Sequence, residues 1–231
     1  MQAGLSEDAA PCRLGVVALG DSITVGEGSM TLGVTPLSWA QWLARALDLP
    51  YTSYARNGAC TENVLHEQLP RVRADYDIAA LYAGVNDVRR TDWDADAYER
   101  DLATIAAALA ARCERLLVLT LPLDLGRPTS APKPAQAGAA ARRVAATHDA
   151  IVVELDDFGS WTTVLPDVVH PTPLGQIEIA DRAARALGAA PLPSALVPAY
   201  AASRVRYAPR HARALARDLA RRGLERILRP G

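Results

Sequence analysis

At 231 residues, the chain has room for one α/β domain with a sizeable core and a short appendage. It is 50% apolar and 22% charged with a formal net charge of −1, which excludes a disordered chain and any global attraction to nucleic acid or membrane. The charge is unevenly spread, because nine arginines after residue 195 face only Asp218 and Glu225, leaving +7 on that tail and −8 on the remainder.

In chain order, Val16-Val17-Ala18-Leu19-Gly20 reads as a short buried strand that stops at glycine and delivers Asp21-Ser22 into the turn before a helix. Glu27–Pro36 is rich in Gly, Ser and Thr and reads as a loop above the sheet. Ser38–Leu47 has helical spacing, with Trp39, Trp42, Leu43 and Leu47 close to one face and directed at the core. Tyr51–Tyr54 is a second strand ending in the turn Arg56-Asn57-Gly58-Ala59, and Thr61–Gln68 is a short helix with Thr61 at its N-cap. Ile78–Ala83 is the third strand, stopping at Gly84-Val85-Asn86-Asp87. The long Ala- and Leu-rich helix Asp94–Arg112 and a fourth strand, Leu116–Leu121, follow. Pro122–Pro134 is a proline-rich loop, Ala135–His148 a helix, Ile151–Leu155 the fifth strand, and Leu174–Leu187 a closing helix.

Strands that alternate with helical segments predict a parallel sheet covered on both faces, joined by right-handed connections. The chain divides into an N-terminal tail (1–12), the main domain (13–190), a Pro-rich linker (191–208) and an Arg-rich C-terminal helix (209–231). In that helix Ala212, Leu215, Ala216, Leu219, Ala220 and Ile227 share one arc, interrupted by Arg226, which suits docking on the domain or on a second copy in a homodimer.

The three cysteines (Cys12, Cys60, Cys113) are odd in number and widely spaced, and make neither a disulfide framework nor a metal-ligand cluster. No apolar run reaches 18 residues, and Met1–Asp8 lacks the basic and apolar regions of a secretory signal. The expectation is a cytoplasmic protein that needs no metal or cofactor, binds no nucleic acid and does not associate with membrane.

Four strand ends carry residues of chemical interest. Ser22 follows the first strand, Gly58 the second, Asn86 the third, and Asp167 and His170 lie beyond the fifth. In a parallel sheet these points share one edge, where ligands bind. A serine hydroxyl is a weak nucleophile and needs a base within reach, for which the histidine ring is suited near neutral pH. Asp167 stands three residues before His170, so one helical turn would place the carboxylate against the far ring nitrogen. The Ser22 and Gly58 backbone N–H groups and the Asn86 side-chain amide are candidate donors to an oxyanion, Gly58 because its backbone can be approached closely.

These blocks resemble the SGNH hydrolase superfamily, also called GDSL esterases/lipases. Gly20-Asp21-Ser22 with Ile23-Thr24, Asn57-Gly58, Gly84-Val85-Asn86-Asp87 and Asp167-Val168-Val169-His170-Pro171 match its four blocks in order, over roughly residues 13–188. The resemblance implies a three-layer α/β/α sandwich on a flavodoxin-like five-stranded parallel sheet. It also implies metal-free hydrolysis of a small-molecule ester, with Ser22, Asp167 and His170 catalytic and Ser22, Gly58 and Asn86 forming the oxyanion hole. Acyl transfer from the same acyl-enzyme is one alternative, and a non-catalytic binding module on the same fold is another. The G-x-S-x-G elbow of the other serine-hydrolase architecture is not matched, since Gly20-Asp21-Ser22-Ile23-Thr24 lacks the second glycine.

Among the other residues, Asp21 reads as a support for the Ser22 turn and Asp87 as a cap or orienting group for the Asn86 loop. Cys60 reads as a small buried filler, Arg89 and Arg90 as solvated charges, and His66, His148 and His211 as surface or interface residues. Trp93 and Trp161 either wall an acyl pocket or pack. A lean towards short acyl groups follows from the lack of a long apolar lid.

Overall fold

The computed structural model describes residues 12–26, 33–126, 130–197, and, between 208 and 220, residues 208–209, 212–213, 215–217 and 219–220. The N-terminal tail up to residue 11, most of the Glu27–Pro36 loop, His211 and most of the Arg-rich helix lie outside the described residues. Those described between 208 and 220 are helical.

Five parallel strands form one sheet in the order β2-β1-β3-β4-β5: β1 (Val16–Gly20), β2 (Tyr51–Ser53), β3 (Tyr76–Tyr82), β4 (Cys113–Leu119) and β5 (Ile151–Val153). β1 and β3 are buried almost throughout, as is the second half of β4, because helices cover both sides of the sheet. α2 (Trp39–Ala46) packs on α6 (Pro173–Ala186), while α4 (Ala95–Ala110) packs on α5 (Lys133–Thr147). The chain steps from β1 to β2 in one direction and from β2 through β3 and β4 to β5 in the other. Right-handed crossovers therefore put α2 on one face, α4 and α5 on the other, and open a crevice where the direction reverses, at the carboxyl ends of β1 and β3. No helix of the described residues is long and apolar enough to cross a membrane.

Several local expectations are corrected. β3 and β4 begin earlier than their apolar runs, at the paired residues Tyr76 and Cys113, because the ladder continues through Asp77, Glu114 and Arg115. The segment after β2 is not one α-helix. α3 (Thr61–Asn63) passes into a π-turn over Val64–Gln68 and a 3₁₀ turn over Leu69–Arg71. Its N-cap is Cys60 rather than Thr61, whose N–H instead donates to both carboxylate oxygens of Asp87 at 3.0 and 3.1 Å. The Pro-rich segment forms a 3₁₀ turn over Pro193–Leu196 that packs on α2 and α6, with the Ser194 N–H donating to Asp181 Oδ1 at 2.9 Å. The tryptophans of α2 do face the core, Trp39 at 0% and Trp42 at 7% exposure.

Candidate active site

β1 ends at Gly20 and the chain turns at once into α1 (Ser22–Val25), a helix of four residues. Asp21 caps it, its Oδ1 accepting the Ile23 N–H at 2.9 Å. Ser22 is therefore the first helical residue. No hydrogen bond among the described residues uses its backbone N–H, as expected at a helix N-terminus. The expected supporting role of Asp21 has this geometric form. The residue is fully buried, its Oδ2 has no hydrogen-bond partner among the described residues, and burial lifts its pKa from 3.8 to about 7, against the Ile23 N–H and nearby His170, which lower it.

Ser22 Oγ lies 3.0 Å from His170 Nε2, and His170 Nδ1 lies 2.7 Å from Asp167 Oδ2. Burial disfavours the Asp167 carboxylate, but the His170 ring and the Val169 and His170 backbone N–H groups outweigh it and hold its pKa below the ordinary 3.8. An ionised carboxylate only accepts, so Nδ1 carries the ring proton and Nε2 presents a lone pair to the serine hydroxyl. Such a linear array is one in which the ring takes the hydroxyl proton while the carboxylate fixes its tautomer. The predicted closeness of Asp167 and His170 is present, but not through a helical turn. Asp167 Oδ1 closes the loop onto two successive N–H groups, and Val168 sits at φ 56°.

The candidate oxyanion donors come from three strand ends. Asn86 Nδ2 donates to the Ala59 carbonyl at 3.0 Å, which ties the loop after β3 to the loop after β2 and leaves the amide's second N–H for another acceptor. Asp87, anchored on Thr61 N–H, makes a second tie between the same loops. Gly58 is exposed, and no hydrogen bond among the described residues uses its N–H. Glycine is required there by its backbone, at φ +72°, whereas an added Cβ would meet nothing within 4 Å.

Cys60 is only partly buried and lines a polar depression of about 190 Å³ with Asp87, Arg90, Trp93 and Tyr98. Arg90 pairs with Asp92 at 2.6 Å, and the Trp93 indole N–H donates to Gln136. Trp161, 41% exposed, lines a second cavity of about 180 Å³ beside the Asp167–His170 turn, with Phe158, Leu165, Val168 and Leu215. His66 is exposed on the π-turn and His148 closes α5.

Two polar residues escaped sequence reasoning. Gln68, 3% exposed, accepts the Gly20 N–H at 2.9 Å and donates to the Gly20 carbonyl at 2.8 Å. Gln176, 2% exposed, accepts the Trp39 N–H at 2.8 Å and donates to the Ile23 carbonyl at 2.9 Å. No periodicity or motif marks either one.

A profile of the GDSL-like lipase/acylhydrolase family matches residues 18–176. Among solved structures, the chain is similar to LAE5, an alpha/beta hydrolase enzyme from the metagenome of Lake Arreo, Spain. The identity is 22% and the TM-score 0.63, over 78% of this chain and 96% of that one. It is also similar to Axe2, an acetylxylan esterase from Geobacillus stearothermophilus, at 18% identity and a TM-score of 0.57, over 77% of this chain and 97% of that one. A catalytic serine mutant of Axe2 matches at 19% identity and a TM-score of 0.61, over 76% and 94% of the two chains. No curated protein matches the sequence. With over half its length matched by the family profile, and with the α/β fold those structures share, the chain belongs to the GDSL-like lipase/acylhydrolase family and is a carboxylic ester hydrolase.

Proposed function

We propose that this hydrolase cleaves its ester through an acyl-enzyme on Ser22, with His170 as general base and acid and Asp167 as the group that orients and charges it. The observation that carries the reading is the unbroken chain from Ser22 Oγ through His170 to the Asp167 carboxylate, at 3.0 and 2.7 Å. As Ser22 Oγ attacks the ester carbonyl, its proton passes to His170 Nε2. The imidazolium is stabilised by Asp167. The carbonyl oxygen becomes an oxyanion that the Ser22 and Gly58 N–H groups and the free N–H of Asn86 can receive. Collapse expels the alcohol, protonated from His170. Water deprotonated by the same ring then attacks the acyl-enzyme, and Ser22 recovers its proton as the acid leaves.

For the substrate we infer a small or short-chain acyl ester. Axe2, an acetylxylan esterase of the same fold, acts on an acetyl ester. We also read the chain as a cytoplasmic protein, since Cys12, Cys60 and Cys113 are all free thiols.

The test is hydrolysis of p-nitrophenyl esters from two to twelve carbons by the wild type and by Ser22→Ala. Loss of kcat by about 10⁴ or more in the variant is expected, with the wild-type rate highest on the shortest chains. Equal rates in the two proteins would overturn the role of Ser22, and a maximum at the longest chains would overturn the substrate class.

A further inference from the structure

The proposed nucleophile sits on a helix of only four residues. A segment that short has too few internal hydrogen bonds to hold its own geometry, so its position is set by what the rest of the molecule bonds to it. We propose that Gln68 and Gln176 are the positioning residues that fix Ser22 against His170, an inference that rests on the reading of Ser22 as nucleophile.

Gln68 acts before the serine. β2 pairs with β1 only through Val16, Val17 and Ala18, and the chain beyond it reaches the Gly20 carbonyl through the Arg56 N–H but offers the Gly20 N–H no acceptor. The Gln68 amide supplies the acceptor that a neighbouring peptide would have offered the Gly20 N–H, at 2.9 Å, and donates to the Gly20 carbonyl at 2.8 Å. It arrives from the last residue of the π-turn, and the Arg56 N–H adds a second bond to the same carbonyl at 3.1 Å. The end of β1 is thereby fixed two residues ahead of Ser22.

Gln176 acts after it. The Ile23 carbonyl is an orphan at the end of α1, and the Trp39 N–H is an orphan at the start of α2. One buried amide satisfies both, at 2.9 and 2.8 Å. Gln176 lies in the first turn of α6, six residues beyond His170, and that turn is bound to the acid–base loop. Thr172 Oγ1 donates to the Thr162 carbonyl at 2.7 Å and accepts the Gly175 N–H at 3.1 Å, while the Thr172 N–H donates to the Thr163 carbonyl at 2.9 Å. Gln176 is thus a direct tie between the segment that carries the base and the helix that carries the nucleophile. A Gln amide is needed for this, since the partners are one donor and one acceptor.

The test uses Gln68→Met and Gln176→Met, which keep the side-chain length and lose the amide, with Gln41→Met, whose side chain makes no hydrogen bond among the described residues, as the control. Two readouts are taken: kcat and KM on p-nitrophenyl acetate, and native-state exchange of the amides of Ile23, Thr24 and Val25 compared with those of β3. The expected result is a fall in kcat of about 10–100-fold with KM within about twofold. Exchange in α1 should be about tenfold faster or more, with β3 as protected as in the wild type. Gln41→Met should match the wild type in both. A kcat within twofold of wild type in both variants would overturn the proposal. So would a loss of protection shared equally by α1 and β3, which is the mark of a merely structural role. If the wild type hydrolyses no ester, the Ser22 reading falls instead, and exchange alone decides the glutamines: selective loss in α1 sustains them as ties and unchanged protection overturns them.

Discussion

Replacing Asp21 by Asn should change how stability depends on pH. The carboxyl is fully buried beside Ser22, with one oxygen bonded to the Ile23 N–H and the other without a partner among the described residues. His170 favours its ionised form, whereas Asp87 opposes it, and the hydroxyl of buried Tyr82 also lies within its field. Burial dominates and raises the pKa from 3.8 to about 7. A group whose folded pKa lies above its unfolded one contributes stability that is complete below the unfolded value and is lost as pH rises through the folded value. From the ordinary carboxylate range to about 7, that loss amounts to about 4 kcal/mol at 1.36 kcal/mol per pH unit, of which about 3 kcal/mol falls between pH 5 and 8. Asparagine keeps an oxygen for the Ile23 N–H but does not titrate. The stability of Asp21→Asn relative to wild type should therefore rise by about 3 kcal/mol across that window, or about 6–12 °C in Tm for a chain of this size. Urea unfolding at pH 5, 6, 7 and 8 measures it, since groups not coupled to Asp21 cancel in the difference. Two stability curves running parallel from pH 5 to 8 would refute the account of Asp21 as a carboxyl held neutral by burial.

Three further outcomes are expected. In Gly20→Ala the new Cβ would lie 2.2 Å from the Tyr82 carbonyl and 2.8 Å from Thr24 Oγ1 on a backbone at φ +151°, so urea unfolding should show a loss of at least about 3 kcal/mol. Asn86→Ala should lower kcat by about 10²–10³ with little change in KM, whereas a raised KM with kcat unchanged would point to ground-state binding. Asp167→Asn should lower kcat by about 10⁴. Because the folded pKa of Asp167 is depressed, its stabilising contribution is present above the unfolded carboxylate range and is lost as pH falls through the folded value. Acid unfolding of the variant should consequently be shallower below about pH 4.

The sheet was legible because its middle strands are buried on both faces and so read as continuous apolar runs. Their starts were not, since Asp77, Glu114 and Arg115 interrupt the apolar pattern while their backbones remain in the ladder. β5 looked longer than it is because Leu155, though fully buried, lies past the last ladder pair at Val153. The Asp167–His170 spacing signalled proximity correctly and the backbone incorrectly, for a turn closed by a side-chain oxygen brings i and i+3 together as well as a helix does. That Asp87 accepts the Thr61 N–H at the start of α3 could not be seen from either local segment, because the two residues are 26 apart.

The glutamines expose a more general limit. Glutamine on a helix is ordinarily a solvated residue, and the atoms that Gln68 and Gln176 bind are backbone groups 48 and 153 residues distant. Backbone groups leave no trace in a sequence pattern, so a side chain that serves them has no visible partner. Yet the need for such service was foreseeable. A parallel strand that outruns its neighbour leaves donors and acceptors bare at the sheet edge, and a four-residue helix leaves most of its peptide groups unpaired. Both conditions meet at Ser22, because the crevice that admits a substrate exists where neighbouring strands have ended. The geometry that opens the site therefore also removes the bonds that would stiffen it. In this chain those bonds are restored by two buried amides, one from the π-turn and one from the helix that follows His170.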